Sequence, residues 1–257
     1  MRNARGDVSR FAEIAAELVR LKVDLIWADS APALRATYAA TRNIPIVALD
    51  LTTDPVAAGY VERHGRPGGN VTGVFLDAPG FAGKWLELLK AMVPGMARVA
   101  VVWDPSAGDA HLRAIQGAAR SFSVQLEVLQ VRKPDDIEGA FSSLRGRPQA
   151  IVILPSPMLY VQSERLAKLA TKQRLPATSM FRAFADAGGA LAYGPDMPAT
   201  AERCAVLVAK ILGGARPAAL PLEPPERFEL VVNLKTARAI GLTVPESVLA
   251  GAAAVIR

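Results

Sequence analysis

Hydroxyl and carboxylate side chains, several of them beside a proline, recur where short apolar runs of the sequence end. Serine and threonine hydroxyls near a helix N-terminus can hold a carboxylate, and an aspartate can hold an ammonium group. The same residue types are the usual N-caps of helices, so each of them also has a purely structural interpretation. The candidate ligand-binding residues at these positions, two aromatic side chains included, are Ser30, Thr53, Asp54, Asp104, Ser106, Ser156, Phe181, Tyr193 and Asp196.

Motifs typical of catalysis are absent from the sequence. It contains neither G-x-S-x-G nor G-x-G-x-x-G, and the segment nearest to a phosphate-binding loop has Trp85 where a metal-binding hydroxyl is required. Cys204, the single cysteine, lies on an apolar helical stripe, which favours a buried structural thiol. The two histidines are interpreted as a surface residue, His64, and the start of a helix, His111, which could also face a binding site. We therefore expect no catalytic residue, no metal site and no cofactor.

The elements that would position the candidate residues alternate between β-rich runs and amphipathic helical stretches. Runs such as VDLIWA, RVAVVW and AIVIL are almost continuously apolar, as expected of parallel strands that are covered on both faces. Strand and helix alternating at this spacing predict right-handed crossovers and a doubly wound, parallel α/β fold. Prolines at first-turn positions mark the starts of predicted helices: Pro32, Pro55, Pro79 and Pro134.

The predicted strands are too many for one sheet of ordinary size, so two lobes are expected. In open parallel sheets, ligands bind beyond the carboxyl ends of the strands, which is where the candidate residues stand. We place the first lobe at residues 1–76 plus 192–225 and the second lobe at residues 77–191. Residues 226–257 are expected to form a C-terminal strand and helices that return across the hinge.

Composition and charge exclude several classes of protein. The chain has 257 residues, 51% of them hydrophobic, and 30 basic against 24 acidic side chains, a net charge of +6. The basic residues are scattered singly and aromatics make up only 6%, which argues against a nucleic-acid-binding surface. No apolar run approaches the roughly 18–20 residues of a membrane span, and the start MRNARGDVSRF lacks the apolar stretch of an export signal. Taken alone, this sequence predicts a cytoplasmic chain.

Long segments of the sequence resemble one known family, the substrate-binding proteins of ABC transporters, in the group that includes tryptophan- and tyrosine-binding proteins. The most specific matches are Asp54–Pro55, the turn and strand RPGGNVTG at residues 66–73, Tyr193–Gly194, and NLKTA at residues 233–237. The resemblance extends over about residues 10–256. Its longest segments are residues 15–28, 43–74, 81–106, 188–196 and 228–252.

The resemblance implies the type I periplasmic-binding architecture: two Rossmann-like lobes with parallel sheets, three crossings, and a ligand cleft between the lobes. Members of the family begin with a signal peptide, a strand and a helix, whereas MRNARGD stands in that place here. The first lobe is therefore expected to lack its N-terminal strand and helix, and its incomplete sheet could pair with a second copy as a homodimer. Arg182 also departs from the residue type that relatives often have at that position.

These observations predict the solute-binding component of an ABC importer. It would bind a small molecule, such as an amino acid, in the interlobe cleft by hinge closure, and it would deliver the molecule to an ABC permease in the membrane. The resemblance implies a periplasmic location. A ligand-sensing receptor of the same fold is the alternative, followed by an α/β enzyme; a transcription repressor is disfavoured because no helix-turn-helix segment precedes the first strand.

Overall fold

The computed structural model describes Ala4, residues 7–76 and residues 78–257. The chain divides into two compact units, each built from several segments. The first unit comprises Met1–Ala78, Ser106–Gly108 and Asp196–Arg227, and the second comprises Pro79–Pro105, Asp109–Pro195 and Phe228–Arg257.

The first unit is a small α/β layer structure. Its elements are α1 (Arg10–Arg20), β1 (Ile26–Ala28), α2 (Ala31–Ala40), β2 (Ile46–Asp50), β3 (Val71–Phe75) and, from its last segment, α9 (Met197–Leu212). The three strands are parallel in the order β1-β2-β3, with Ile26 level with Ile46 and Ile46 level with Val71. Both α2 and α9 pack on β2, which explains why every residue of that strand is buried.

The second unit contains a larger sheet with more helices. The elements of its first two segments are α3 (Ala78–Met92), β4 (Arg98–Trp103), α4 (Ala110–Ser121), β5 (Gln125–Gln130), α5 (Asp136–Ser142), β6 (Ala150–Ile153), α6 (Pro157–Val161), α7 (Ser163–Lys172), β7 (Ala177–Ser179), α8 (Arg182–Asp186) and β8 (Leu191–Pro195). Its C-terminal segment adds β9 (Phe228–Asn233), α10 (Leu234–Ala239), α11 (Glu246–Ala250) and β10 (Ala254–Ile256).

Seven strands pair in this sheet, in the order β10-β9-β8-β7-β6-β4-β5. The interior strands β4 and β6 are almost wholly buried, in keeping with their apolar sequences. Strand β5 lies at an edge and exposes Gln125, Val128 and Gln130. The core on one side of the sheet combines side chains from the strands, such as Val102 and Ile153, with Phe141 of α5 and Phe184 of α8.

The α/β class with parallel-rich sheets is confirmed, with one strand pair that the sequence analysis did not foresee. Strand β9 runs antiparallel to β8, with Pro195 paired to Phe228. The chain between those two residues belongs to the first unit, and it re-enters the second sheet at the edge from which it left. Because no crossover helix of the second unit joins the two strands, the direction of β9 is reversed.

The helix predicted to start at Pro55 is wrong. Residues 54–60 form successive turns instead, in which the backbone N–H of Ala58 donates to the carbonyl of Asp54 and that of Tyr60 donates to the carbonyl of Pro55. The carboxylate of Asp54 also accepts from the N–H groups of Val56 and Ala57, at 3.0 and 3.1 Å. A side chain that bonds to the backbone two and three residues on stabilises a turn and competes with a helix.

None of the helices in the described part of the chain combines the length and the apolar character needed to cross a bilayer.

Candidate functional site

The carboxyl edge of the first unit's sheet presents the first group of predicted residues. Ser30 follows β1 in an extended conformation, with φ −169° and ψ 161°, and stands at the N-cap of α2. Its hydroxyl makes no capping hydrogen bond, and Ser30 Oγ is buried without a hydrogen-bond partner. A serine in this place normally caps the helix, so a free hydroxyl is available here for another partner.

Asp50 closes β2 and is the most unusual polar residue of this edge. Its side chain has no solvent exposure. Oδ1 accepts three hydrogen bonds: from the N–H groups of Thr52 and Thr53, at 2.9 and 3.1 Å, and from Thr52 Oγ1 at 3.1 Å. Oδ2 is buried and has no hydrogen-bond partner. Burial raises the pKa of this carboxyl, and hydrogen bonding from Thr53 and Thr52 opposes that rise.

The sequence analysis does not include Asp50 among the candidate ligand-binding residues. In the structure the strand extends through Asp50 and the residue is level with Phe75 of β3. A signal was present in the sequence, since an acidic residue ends an otherwise apolar run, IVALD. Only the packing of the sheet shows that this carboxylate is buried.

The two predicted residues after Asp50 have different surroundings. Thr53 is half-buried and its N–H donates to Asp50, so its backbone serves the turn. Asp54 is exposed and uses its carboxylate in the turn that begins at Pro55. Both residues therefore stabilise the turns that follow β2, and a contact between either one and a ligand stays a prediction.

Tyrosine and arginine side chains surround this edge. The rings of Tyr38 and Tyr60 pack edge to face with centroids 4.9 Å apart, and Tyr38 Oη donates to the carbonyl of Gly59. Burial raises the pKa of Tyr60, as does the negative charge of Asp50, while Arg35 lowers it. The nearby guanidinium of Arg35 donates to the carbonyl of Ser106 at 3.0 Å. A buried carboxylate, a hydroxyl and aromatic rings thus occur in one small region of the first unit.

The carboxyl edge of the second unit's sheet carries Asp104 and Ser156. Asp104 follows β4 directly and is buried. Ser156 is also buried, and its Oγ accepts from the N–H of Leu159 at 3.0 Å, which makes it the N-cap of α6. The capping interpretation is thus correct for Ser156, although its hydroxyl proton can still be donated to another group.

Aromatic side chains form the remainder of that edge. Tyr193 stacks on Phe81 with centroids 5.2 Å apart, and Phe228 stacks on the same ring at 5.5 Å. Trp85 is fully buried beneath them and donates from Nε1 to the carbonyl of Tyr193 at 2.9 Å. Phe181, which precedes α8, packs edge to face on Tyr160 with centroids 5.1 Å apart.

The structure distributes the nine predicted residues between the two units. Asp196 belongs to the first unit, where its carboxylate caps α9 by accepting from the N–H of Ala199 at 3.0 Å. The first unit contains Ser30, Thr53, Asp54, Ser106 and Asp196, and the second contains Asp104, Ser156, Phe181 and Tyr193. The boundaries given from the sequence placed Ser106 in the second lobe and Tyr193 in the first, the reverse of where the two residues lie. Arg182 pairs with Asp186 at 3.3 Å and with Glu229 at 3.4 Å.

Within the described residues, no group of three or more histidine, cysteine, aspartate and glutamate side chains could hold a metal ion. Cys204 is buried in α9, and burial raises the pKa of its thiol to about 11. Its Sγ donates to the carbonyl of Ala48 at 3.8 Å, in line with a structural thiol. His111 is buried in α4 with its ring 5.7 Å from that of Trp85.

Comparison with known proteins identifies the class. Residues 1–256 match the family described as ABC transporter substrate binding protein, and the chain belongs to that family. The match confirms the resemblance found in the sequence and gives the chain a solute-binding role. The fold is that of type I periplasmic binding proteins, as the solved structures similar to it show.

Three similar proteins are informative. A tyrosine-binding protein from Clostridioides difficile (strain R20291) is 25% identical over 244 residues, which cover 93% of this chain and 69% of that protein. A crystal structure from Streptococcus pneumonia, an ABC domain in complex with L-Trp, is 25% identical with a TM-score of 0.91 and covers 99% of this chain and 86% of its own. A conserved domain protein from Vibrio cholerae is 26% identical, with the same TM-score and coverage.

Proposed function

We propose that the protein binds an amino acid or a solute of similar size for an ABC importer and releases it unchanged. The observation that carries this proposal is the pair of buried polar atoms without partners, Ser30 Oγ and Asp50 Oδ2, at a strand edge where α/β proteins bind ligands. The L-Trp complex of a similar domain and the tyrosine-binding relative support an aromatic amino acid as the first ligand to examine.

The two sheet edges offer complementary chemistry for such a ligand. The first unit supplies the carboxylate of Asp50 and the hydroxyl of Ser30, which suit a polar head group. The second unit supplies the stacked rings of Phe81, Tyr193 and Phe228, which suit an apolar or aromatic body. In our proposal the polar head group of the ligand binds at the first of these edges, and binding is accompanied by closure about a hinge.

Ligand identity is tested by calorimetry on the purified protein with L-tyrosine, L-tryptophan and the other common amino acids, followed by sugars and nucleosides. We expect saturable 1:1 binding of at least one amino acid and a smaller radius of gyration in small-angle scattering with that ligand. Mass spectrometry of the ligand recovered after prolonged incubation should show an unchanged mass. A chemically altered ligand would indicate an enzyme, and no binding to any solute would contradict the proposal.

Membership of the family supports a proposal for the partner and the location. Its proteins are usually periplasmic or extracellular, and we place this chain in the periplasm with an ABC permease as its membrane partner. Transport predicts that the liganded protein stimulates ATP hydrolysis by the cognate permease complex in proteoliposomes, and that the protein without ligand stimulates it less.

The homodimer predicted from the sequence is tested separately. In the described residues β1 is an edge strand of the first sheet, and its Trp27 is 44% exposed. Light scattering coupled to size-exclusion chromatography distinguishes a monomer from a dimer, and Trp27→Ser should weaken a dimer that uses this edge.

A further inference from the structure

Asp50 and Ser30 lie near the carboxyl ends of two neighbouring strands. Asp50 is the last residue of β2, and Ser30 stands two residues beyond the end of β1, which pairs with β2 in parallel with Ala28 level with Ala48. The carboxyl ends of parallel strands lie at the same edge of a sheet, and adjacent strands are about 4.8 Å apart. The hydroxyl and the carboxylate therefore belong to the same edge of the first sheet.

The turn after β2 does not require the charge of Asp50. All three hydrogen bonds from Thr52 and Thr53 end on Oδ1, and an asparagine would accept them in the same way. Oδ2 is buried and takes no part in the turn. A carboxylate therefore stands where an uncharged side chain would form the same local structure with less loss of hydration.

Within the part of the chain that the structure describes, no ion pair neutralises this carboxylate. Asp50 occurs in none of the ion pairs of the described residues. The nearby Arg35 directs its guanidinium to the carbonyl of Ser106. Burial raises the pKa of the half-buried Tyr60, and the negative charge of Asp50 raises it further. A buried anion that the fold neither needs nor neutralises is strongly unfavourable unless a cation joins it.

We propose that Asp50 is the anchor for a protonated amine of the ligand, with the Ser30 hydroxyl as a second acceptor beside it. The inference rests on the proposed solute-binding function and narrows it to ligands with a cationic nitrogen. The ammonium group donates to Asp50 Oδ2 and to Ser30 Oγ, which gives both atoms the hydrogen bond that they lack. Because Asp50 has no solvent exposure, the ligand reaches it only when the surrounding residues move apart, as in the proposed opening.

The test compares amines with matched compounds that lack the amine. Wild-type protein is titrated with L-tyrosine and L-tryptophan and with 3-(4-hydroxyphenyl)propanoate and indole-3-propanoate, and the panel is extended to the other amino acids, tyramine, spermidine, ribose, adenosine and succinate. We expect Asp50→Asn to weaken the best amine ligand by about 10- to 100-fold, the effect of a charge-assisted hydrogen bond. Its effect on the amine-free counterpart should be less than about twofold.

Matched variants separate an anchor from a structural residue. Asp24→Asn removes an exposed carboxylate of the same unit that is not a candidate ligand-binding residue, and it should leave the affinity for amines within about twofold of wild type. Ser30→Ala should weaken the amine by a smaller factor than Asp50→Asn does. Without ligand, Asp50→Asn should be more resistant to urea than the wild type, whereas a residue that holds the fold would make it less resistant.

The outcomes of these experiments test the role of Asp50 separately from the solute-binding function. Equal loss of amine and amine-free ligands in Asp50→Asn, or a tightest ligand with no cationic nitrogen, overturns the role of Asp50 and leaves the solute-binding function standing. Failure of every compound to bind contradicts the solute-binding function itself. A selective loss of amines together with increased stability of the unliganded variant supports the anchor.

Discussion

Serine and aspartate side chains stand at the carboxyl ends of strands in both sheets of this protein, but their hydrogen bonding differs between the two sheets. Ser30 and Ser156 both follow a strand, both adopt an extended conformation, and both precede a helix with a proline in its first two positions. Ser156 caps its helix, whereas Ser30 leaves its hydroxyl buried without a partner. Thr178 also has a hydroxyl without a partner, but it lies inside β7 and not at the strand's carboxyl end.

The difference separates side chains at the strand ends that stabilise the fold from side chains that remain available to a ligand. In the second unit the polar side chain completes a helix and the rings pack on one another, so the edge is largely satisfied by the protein itself. In the first unit Ser30 and Asp50 retain hydrogen-bonding capacity that nothing in the described chain uses. Unsatisfied buried polar groups are rare in folded proteins and cluster at functional sites.

The largest expected effect concerns the packed edge of the second unit. Trp85→Ala should lower the free energy of unfolding by about 3–5 kcal/mol, because it empties a fully buried site and removes the hydrogen bond to Tyr193. Equilibrium unfolding in urea, followed by circular dichroism, measures the change. Trp27→Ala in the first unit is the matched control, and we expect it to cost about 1 kcal/mol or less, since Trp27 is 44% exposed. Similar losses for both variants would refute the assignment of Trp85 to the core.

An intermediate effect concerns Asp50 and pH. Its pKa is raised in the folded protein, so folding is penalised most at a pH above that raised value and the penalty fades as pH falls towards the unfolded value of 3.8. Asp50→Asn removes the penalty. The variant without ligand should therefore be more stable than the wild type by about 1–3 kcal/mol at pH 7.5. The advantage should shrink as the pH is lowered.

Urea unfolding of both proteins at pH 7.5, 6 and 4.5 tests this pH dependence. The variant Asp54→Asn is the control, because Asp54 is exposed and its removal should leave no such pH-dependent gain. A gain for Asp50→Asn that stays constant over the pH range would show that the carboxylate's ionisation is not its cause.

The sequence predicted the class of fold because its evidence is local: apolar runs of strand length alternate with amphipathic helices. It did not predict the reversed strand β9, since the direction of a strand depends on which unit the preceding segment joins. Asp50 escaped prediction for a similar reason. Its burial comes from α2 and α9, which pack on β2 from distant parts of the chain.

Ser30 and Ser156 show that residue type and position along the chain do not suffice to predict the site. Both follow a strand and precede a proline-containing helix start, so a rule based on residue type gives them the same role. The structure distinguishes them only through the orientation of one hydroxyl. Whether either residue contacts a ligand stays a prediction until binding is measured.

The smallest expected effects test that pair directly. Ser156→Ala should cost about 1 kcal/mol of stability, because the N–H of Leu159 loses its capping acceptor. Ser30→Ala should change the stability of the unliganded protein by less than about 0.5 kcal/mol, or increase it, because the lost hydroxyl has no partner. Thermal unfolding without ligand measures both. For ligand affinity the order should reverse, with Ser30→Ala the more harmful; a Ser30→Ala variant that loses as much stability as Ser156→Ala would mean that both hydroxyls are helix caps and that the two edges do not differ.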